Sequence, residues 1–473
     1  MMLTLADVIE ALQGIRPTTM TPEITEAVVD SRHAIPGSMF IAIKGERTDG
    51  HNFIADAFRN GAHIALVEAD IPHEFQLVDL TKPLDPDASF PPLPFALKVE
   101  NTTRALQKIA AYWRRRFQVR VIGITGSVGK STTKELSAEI LSQRYHTLKN
   151  QGNFNNEIGL PLTLLRLGPG YECVVLEMGF YQPGDIELLC QIAQPQVGVL
   201  TNIGTVHASR AKSQEAIAKG KSELVQALPP SPEGTAILNR DDPFIMPMAS
   251  LTKASLFFYG LDPASDLWAD EIESDGLNGV RFRLHHGGET FNLHAPMIGR
   301  HSIHTILRAI SVALVEGLTW GEIITGLQQA SSQLRLVVVR TRQNALLLDD
   351  TYNASPESML AALNLLHELP GRRIAVLGGM NELGPYEAIG HQKVGMRAAE
   401  VVDYLITYQE NAHLILNAAL EAGLTGDKTF HSDDESEIVS KLDAILCPGD
   451  VVLVKGAHSL RMDNIVQALE VEE

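Results

Sequence analysis

Residues 121–136 read VIGITGSVGKSTTKEL: an apolar run, a glycine turn and the opening of a helix. In that turn Thr125, Gly126, Ser127, Val128, Gly129, Lys130, Ser131 and Thr132 would present backbone N–H groups at a helix N-terminus, where the positive end of the dipole favours phosphate. Lys130 has the reach for β- and γ-phosphates, and the Ser131 hydroxyl can ligate Mg²⁺. A complete phosphate-loop pattern has glycine where Ile124 stands, so this is a shortened GxxGKS form. Its position after a strand and before a helix makes ATP, with Mg²⁺, the expected ligand.

Other groups stand where they could join that chemistry. Glu177 closes the apolar run VVLEM, and a carboxylate at the C-terminal end of a parallel strand is a candidate metal ligand. Alone, it would read equally well as a helix cap or a solvated glutamate. His207, in LTNIGTVHASR, follows another strand end. A lone histidine is more often structural, and this one gains interest from its neighbours. The segment IAKGKSELVQAL carries Lys219, Lys221 and Glu223 on an amphipathic helix, and Lys219 reads as a solvated charge. In GNFNNEIGLPLTLL, Asn153, Asn155 and Asn156 suit turns and caps, or hydrogen bonds to a nucleotide or substrate; Asn156 is taken as a nucleotide contact.

These groups must be positioned by a fold of some size. At roughly 100–200 residues per domain, 473 residues make two to four domains. A net charge of −18 argues against a general nucleic-acid or membrane binder, since both need basic surface. The start, MMLTLADVIEALQG, reads as an amphipathic helix and not a signal peptide, and no long apolar run suggests a membrane span. Cys173, Cys190 and Cys447 match no metal spacing and suit a reducing compartment, so the cytoplasm is expected. Residues 79–95 hold five prolines and mark a loop or linker, with a first domain ending near 98. Beyond it, VRVIGIT, CVVLEM and VGVLTNI alternate with helical patterns, as a parallel sheet flanked by helices requires. Residues 254–297, alternating about Gly287-Gly288, are expected to form an antiparallel appendage, followed by the helix SIHTILRAISVALVEG. ALLLDD, RIAVLGG, DYLITY and DVVLVKG then outline a second nucleotide-fold-like unit. The expected class is α/β in three domains: an N-terminal α/β domain (1–98), a central P-loop ATPase-like parallel-sheet domain with a small antiparallel appendage (99–332), and a C-terminal Rossmann-like domain (333–473).

The succession TGSVGKSTTKE, GNFNNEIGLP, LEMG, TNIGTVH, AKGKSE, NRDDP and LLDDTYNASPESM resembles the Mur ligases, ATP-dependent amide-forming enzymes of peptidoglycan precursor synthesis. The stretch DSRHAIPGSMFIAIKGERTDGHNFIADAFRNGA is similar to their first domain, and DDTYNASPESM with MNELGPYEAIGH resembles the MurF type, which adds D-alanyl-D-alanine to UDP-MurNAc-tripeptide. The resemblance covers nearly the whole chain. It implies a first domain holding the UDP end of the substrate through Ser31, Arg32, Lys44, Asp49, Gly50 and His51. It implies Lys130, Glu177, His207 and Lys221 as catalytic residues, with metal sites served by Ser131, Glu177, His207 and Lys221, the last as a carbamylated lysine. Asp350 would hold the ribose and Arg335 would approach the phosphates from the third domain. A monomer is the implied state. Ser302 and Thr305 stand where the family usually has asparagines near adenine, Gly379 where aspartate is common, and Ala457 and His458 where serine and arginine are usual. Two other readings compete: another Mur ligase or a folylpolyglutamate synthase-like enzyme with a different acceptor, and a non-catalytic nucleotide-binding regulator suggested by those departures.

Overall fold

A computed structural model describes residues 2–18, 21–45, 48–71, 74–329 and 337–470. Internal contacts divide the chain into two compact units, Met1–Gly123 with Tyr145–Gly179 and Asp185–Gln196, and Ile124–Arg144 with Phe180–Gly184 and Val197–Glu473.

In the first unit the helix Leu5–Gln13 starts at Thr4, whose hydroxyl accepts the Asp7 N–H while the Asp7 carboxylate accepts the Thr4 N–H in return. A five-stranded parallel sheet follows, in the spatial order Ala27–Val28, Met39–Ile41, Ile64–Val67, Phe95–Lys98 and Gln76–Asp79. Met39–Ile41 and Ile64–Val67 are buried throughout, which is why they read as unbroken apolar runs. The proline-rich stretch is a loop within this sheet: it leaves Gln76–Asp79 and returns as Phe95–Lys98, which inserts between two earlier strands. Helix Thr102–Arg114 is capped by Asn101, and its Trp113 donates from Nε1 to the Leu167 carbonyl at 2.9 Å. Strand Cys173–Glu177 pairs in parallel with Thr147–Lys149, and its last residue is Glu177.

The second unit takes up the chain at the end of strand Arg120–Thr125, where the Thr125 carbonyl accepts the Thr201 N–H at 3.0 Å. Strands Val197–Leu200, Thr235–Asn239, Ser255–Gly260 and Leu267–Ser274 then lie side by side in parallel. Leu267–Ser274, Val280–His286 and Glu289–Ala295 continue as antiparallel neighbours. The expected antiparallel stretch thus begins later than residue 254, because Ser255–Gly260 is a further parallel strand. Gly287 and Gly288 both have positive φ, as a tight two-residue turn between His286 and Glu289 demands.

The C-terminal part of this unit is a six-stranded sheet in the order Val337–Arg340, Leu346–Asp350, Val451–Lys455, Arg373–Gly378, Tyr404–Tyr408 and Thr429–Ser432, parallel except at the first pair. Alternate residues feed two cores. Leu348, Ala375 and Leu453 face the helices Pro356–Glu368 and Glu387–Val401, while Leu347, Ile374 and Val452 face Glu435–Ile445 and Asp463–Leu469. The strands ALLLDD, RIAVLGG, DYLITY and DVVLVKG all lie where their apolar runs place them. Among the described residues, no helix is long and apolar enough to cross a membrane.

Candidate active site

The glycine turn is held from behind by the residues after strand Val197–Leu200. Ser127 N–H donates to the Asn202 carbonyl and Val128 N–H to the Asn202 side chain, both at 2.9 Å, while the Ser127 hydroxyl accepts Gly204 N–H at 2.8 Å. Gly126 has φ +148°, and a Cβ on it would fall 1.8 Å from Thr201 Oγ1, so only glycine fits. Gly129, at φ +84°, is the N-cap of helix Lys130–Leu141, and its carbonyl accepts the Thr133 hydroxyl at 2.6 Å. Ser131 and Thr132 lie in the first turn of that helix. The loop therefore has the form expected of a phosphate cradle.

Two lysines converge on one acceptor here. Lys130 Nζ donates to the Gly126 carbonyl at 2.9 Å and the Ser127 carbonyl at 3.2 Å, and Lys221 Nζ donates to the same Gly126 carbonyl at 2.9 Å. Lys221 is only 1% exposed and lies over the Phe180 ring, 4.8 Å from its centroid. Burial, reinforced by the positive charge of Lys130, pushes the Lys221 amine well below its usual range. A neutral amine in a cation-lined pocket is the form that can add CO₂. Lys219, by contrast, is exposed, as a solvated charge should be.

Gly220 makes the Lys221 pocket possible. A Cβ at this helical position would lie 2.1 Å from Phe180 Cε2, and Phe180 is itself buried. Alanine would gain about 0.8–1.0 kcal/mol of helix propensity, yet overpacking a buried ring costs about 1–3 kcal/mol. Gly220→Ala is therefore expected to lower the thermal midpoint. A midpoint equal to or above the parent's would mean that the Phe180 packing is not what fixes Lys221.

His207 has φ +69° and takes a partner that its sequence neighbourhood does not reveal: Nδ1 lies 2.5 Å from Glu382 Oε2. Burial holds the imidazole down to about 4, outweighing the Glu382 carboxylate, which raises it; Lys221 and Lys130 lower it further. It is thus neutral at physiological pH, with Nδ1–H donated to Glu382 and Nε2 left as the acceptor, the arrangement that suits a ligating histidine. The turn bearing Glu382 is fixed on the same segment, since Ser209 N–H donates to the Glu382 carbonyl; separately, Thr205 N–H donates to Glu357 Oε1 of helix Pro356–Glu368.

A cavity of about 1500 Å³ opens in front of the loop, lined by Ser127–Lys130, Thr132, His207 and, from the C-terminal sheet, Asp350 and Lys455. Asp350 Oδ2 is 2.7 Å from Lys455 Nζ, which also donates to the Asn353 carbonyl at 2.8 Å. Arg335 lies outside the described residues. The positions that differ from the family pattern are locally satisfied. Ser302 donates to the Gly299 carbonyl at 2.7 Å, and Thr305 accepts from Arg308 at 2.7 Å. A Cβ on Gly379 would sit 2.9 Å from Asn411 Cβ, so the larger aspartate has no room. Ala457 is buried with its N–H on the Gly379 carbonyl, and His458 is exposed.

In the first unit Glu177 is 3% exposed. Its Oε1 accepts from Asn155 Nδ2 at 2.8 Å, and its main chain is clasped at both N–H and carbonyl by the Asn150 side chain. Asn156 Oδ1 accepts the N–H of Gly159, the first residue of helix Gly159–Leu164, at 2.9 Å. Ser31 and Arg32 lie in a short 3₁₀ turn, where Ser31 is buried and the exposed Arg32 pairs with Asp30 at 2.6 Å. Lys44 and Asp49 bridge across their loop, Asp49 Oδ1 accepts from His51 Nδ1 at 2.6 Å, and His51 Nε2 accepts Glu68 N–H at 2.9 Å. Gly50 packs so tightly that a Cβ would be 2.7 Å from Ile43 N. This ties Lys44, Asp49, Gly50 and His51 into one turn ahead of helix Ile54–Arg59.

Among the described residues no three His, Cys, Asp or Glu side chains form a ready metal cluster. Asn202, Glu382, Lys455 and Arg308 escaped the sequence reading, since hydrogen-bond partners 74 and 175 residues away leave no local pattern.

The family described as Mur ligase family, catalytic domain, matches residues 23–114; the Mur ligase middle domain matches 124–313 and the Mur ligase glutamate ligase domain 334–458. The UDP-N-acetylmuramoyl-tripeptide–D-alanyl-D-alanine ligase of Synechocystis sp. is 38% identical, over 95% of this chain and 92% of its own length. The Escherichia coli protein of the same name is 33% identical over 99% and 98%. Among solved structures, MurF from Acinetobacter baumannii superposes with a TM-score of 0.84 at 30% identity, covering 98% of each chain. MurF ligase from Thermotoga maritima, in complex with ADP, gives 0.77 at 29% identity over 94% and 96%. The chain belongs to the Mur ligase family, as one of its MurF type.

Proposed function

We propose that this chain is an ATP-dependent amide ligase that joins D-alanyl-D-alanine to UDP-MurNAc-tripeptide, completing the pentapeptide precursor of peptidoglycan in the cytoplasm. The reading is carried by one conjunction: likeness along almost the entire length to ligases of that name, in a chain whose phosphate loop gathers Lys130 and Lys221 on one carbonyl. The proposed domains run 1–98 for the UDP substrate, 99–332 for ATP and 333–473 for closure, with a monomer as the working state.

A carboxylate resists attack by an amine because its charge repels the nucleophile. In the proposed reaction a carboxylate oxygen of the tripeptide takes the γ-phosphoryl group of ATP, releasing ADP. The amine of D-alanyl-D-alanine then attacks the acyl carbon, the carbon–oxygen bond breaks, inorganic phosphate leaves and the amine proton passes to solvent or a nearby base. An α-amino group with a pKa of ~7.7–8.0 is already partly neutral near pH 7, so no strong protein base is demanded. Lys130 offsets the repulsion between triphosphate and carboxylate. Thr125–Thr132 cradle the phosphates, Asn156 and Asp350 hold the nucleotide, and Arg335 approaches the phosphates. Ser31, Arg32, Lys44, Asp49, Gly50 and His51 hold the UDP end. Bound Mg²⁺ supplies charge neutralisation on the phosphate oxygens; Ser131, Glu177, His207 and carbamylated Lys221 are the proposed ligands.

A phosphate-release assay with ATP, Mg²⁺ and UDP-MurNAc-tripeptide tests this. Release is expected with D-alanyl-D-alanine and not with glutamate or a diamino acid. Release with glutamate or a diamino acid instead would reassign the acceptor, and ATP binding without release for any acceptor would favour a regulator.

A further inference from the structure

We propose that Arg308 is a further phosphate-contacting residue of the nucleotide site, a buried cation whose counter-charge is supplied by the bound polyphosphate. The proposal rests on the nucleotide-binding reading above. Arg308 stands on helix Ile303–Val315, is 3% exposed and lines the cavity in front of the glycine turn.

Its guanidinium is pressed against the turn itself. A Cβ on Gly129 would lie 2.7 Å from Arg308 Nη2. Nε donates to Thr133 Oγ1 at 2.8 Å, and that hydroxyl in turn donates to the Gly129 carbonyl. Nη2 donates to Thr305 Oγ1 at 2.7 Å, so the threonine that departs from the family pattern is engaged in holding this side chain. On another side is the Tyr259 ring, its centroid 5.9 Å from the guanidinium carbon.

None of these partners carries a charge. Burial pushes the Tyr259 phenol up to about 12, so it stays neutral. The two aspartates Asp241 and Asp242 that line the cavity are committed elsewhere: Asp241 to His304 and to the N–H groups of Leu261 and Asp262, Asp242 to the N–H groups of Ile203 and Phe244. Among the described residues no carboxylate pairs with Arg308; its further side-chain hydrogen bond is to the neutral Tyr259 phenol. Another buried arginine shows the contrast. Arg114 donates from Nε, Nη1 and Nη2 to the carbonyls of Ala193, Phe117 and Val119. A buried, unpaired cation is strongly unfavourable. One placed at the N-cap of a phosphate-binding helix is explained by an anion that arrives with the ligand.

The test uses the full chain with Arg308→Gln and Arg308→Met, measuring equilibrium binding of ATP, inorganic tripolyphosphate and adenosine, and thermal melting with and without ATP and Mg²⁺. Lys130→Ala serves as a reference. ATP and tripolyphosphate should bind roughly 10- to 100-fold more weakly to both variants, as when a charged hydrogen bond is lost, and adenosine should bind as to the parent. Ligand-free Arg308→Met should melt no lower than the parent, because it removes an unpaired charge, while the rise in melting temperature on adding ATP shrinks. Unchanged ATP affinity in Arg308→Gln overturns the proposal, as does an equal loss for ATP and adenosine, which would mark a structural prop. A parent protein that binds no ATP defeats the nucleotide reading itself. A parent that binds ATP and is weakened by Lys130→Ala but not by either Arg308 variant defeats this proposal alone.

Discussion

Lys130→Ala should lower kcat by about 10²–10³-fold, the loss seen when one preorganised charge-stabilising group is removed. The Nζ is tethered 2.9 Å and 3.2 Å from two carbonyls of its own loop, so its position is set before any ligand arrives. Two unit charges 4 Å apart interact by about 4 kcal/mol at an effective dielectric of 20, enough to supply a loss of this size. The effect should fall on turnover more than on folding, because the loop keeps its bonds to Asn202 and Gly204. Steady-state kinetics paired with a melting curve check this. Turnover within about threefold of the parent would remove Lys130 from the transition state.

Lys221 is the second large effect. Lys221→Ala and Lys221→Arg should both lose at least about 100-fold in activity at limiting Mg²⁺, comparable to losing a group that organises a metal. The arginine variant decides the mechanism. Arginine keeps a cation in the pocket but stays protonated and cannot add CO₂, whereas the buried Lys221 amine is driven toward its neutral form by burial and by Lys130. In the proposed carbamate the Lys221 nitrogen lone pair would form the new bond to CO₂ and one proton would leave, giving an anionic oxygen ligand. Protein equilibrated with ¹³C-bicarbonate should show a carbamate carbon resonance that Lys221→Arg lacks. Full activity in Lys221→Arg would dismiss the carbamate.

The glycine turn was legible because phosphate binding is a local matter: strand, two glycines with positive φ and helix start occupy consecutive positions. The C-terminal strands were legible for a similar reason, since Leu346–Asp350 and Val451–Lys455 are buried between two layers of helices and need apolar side chains on both faces. What the sequence hid is pairing at a distance. His207 was visible as a histidine beyond a strand end, and nothing local tells that Glu382 fixes its tautomer. Thr305 looked like a lost adenine contact, and only the fold shows Arg308 holding on to it. The proline-rich stretch could be read as a loop, but not that Phe95–Lys98 turns back into the middle of the first sheet, because strand order is a tertiary property. The parallel pairing of Ser255–Gly260 with Thr235–Asn239 was hidden likewise, since the alternation beside it pointed only to the hairpin.

The central claim is that an inert carboxylate is activated by phosphorylation before the amide forms. Synthesising the UDP-MurNAc-tripeptide with ¹⁸O in its terminal carboxylate and analysing the released phosphate by mass spectrometry tests it most directly. One ¹⁸O should appear in the inorganic phosphate for each amide made, because the oxygen that accepts the phosphoryl group leaves with it. Phosphate carrying only unlabelled oxygen, alongside normal product formation, would contradict the account.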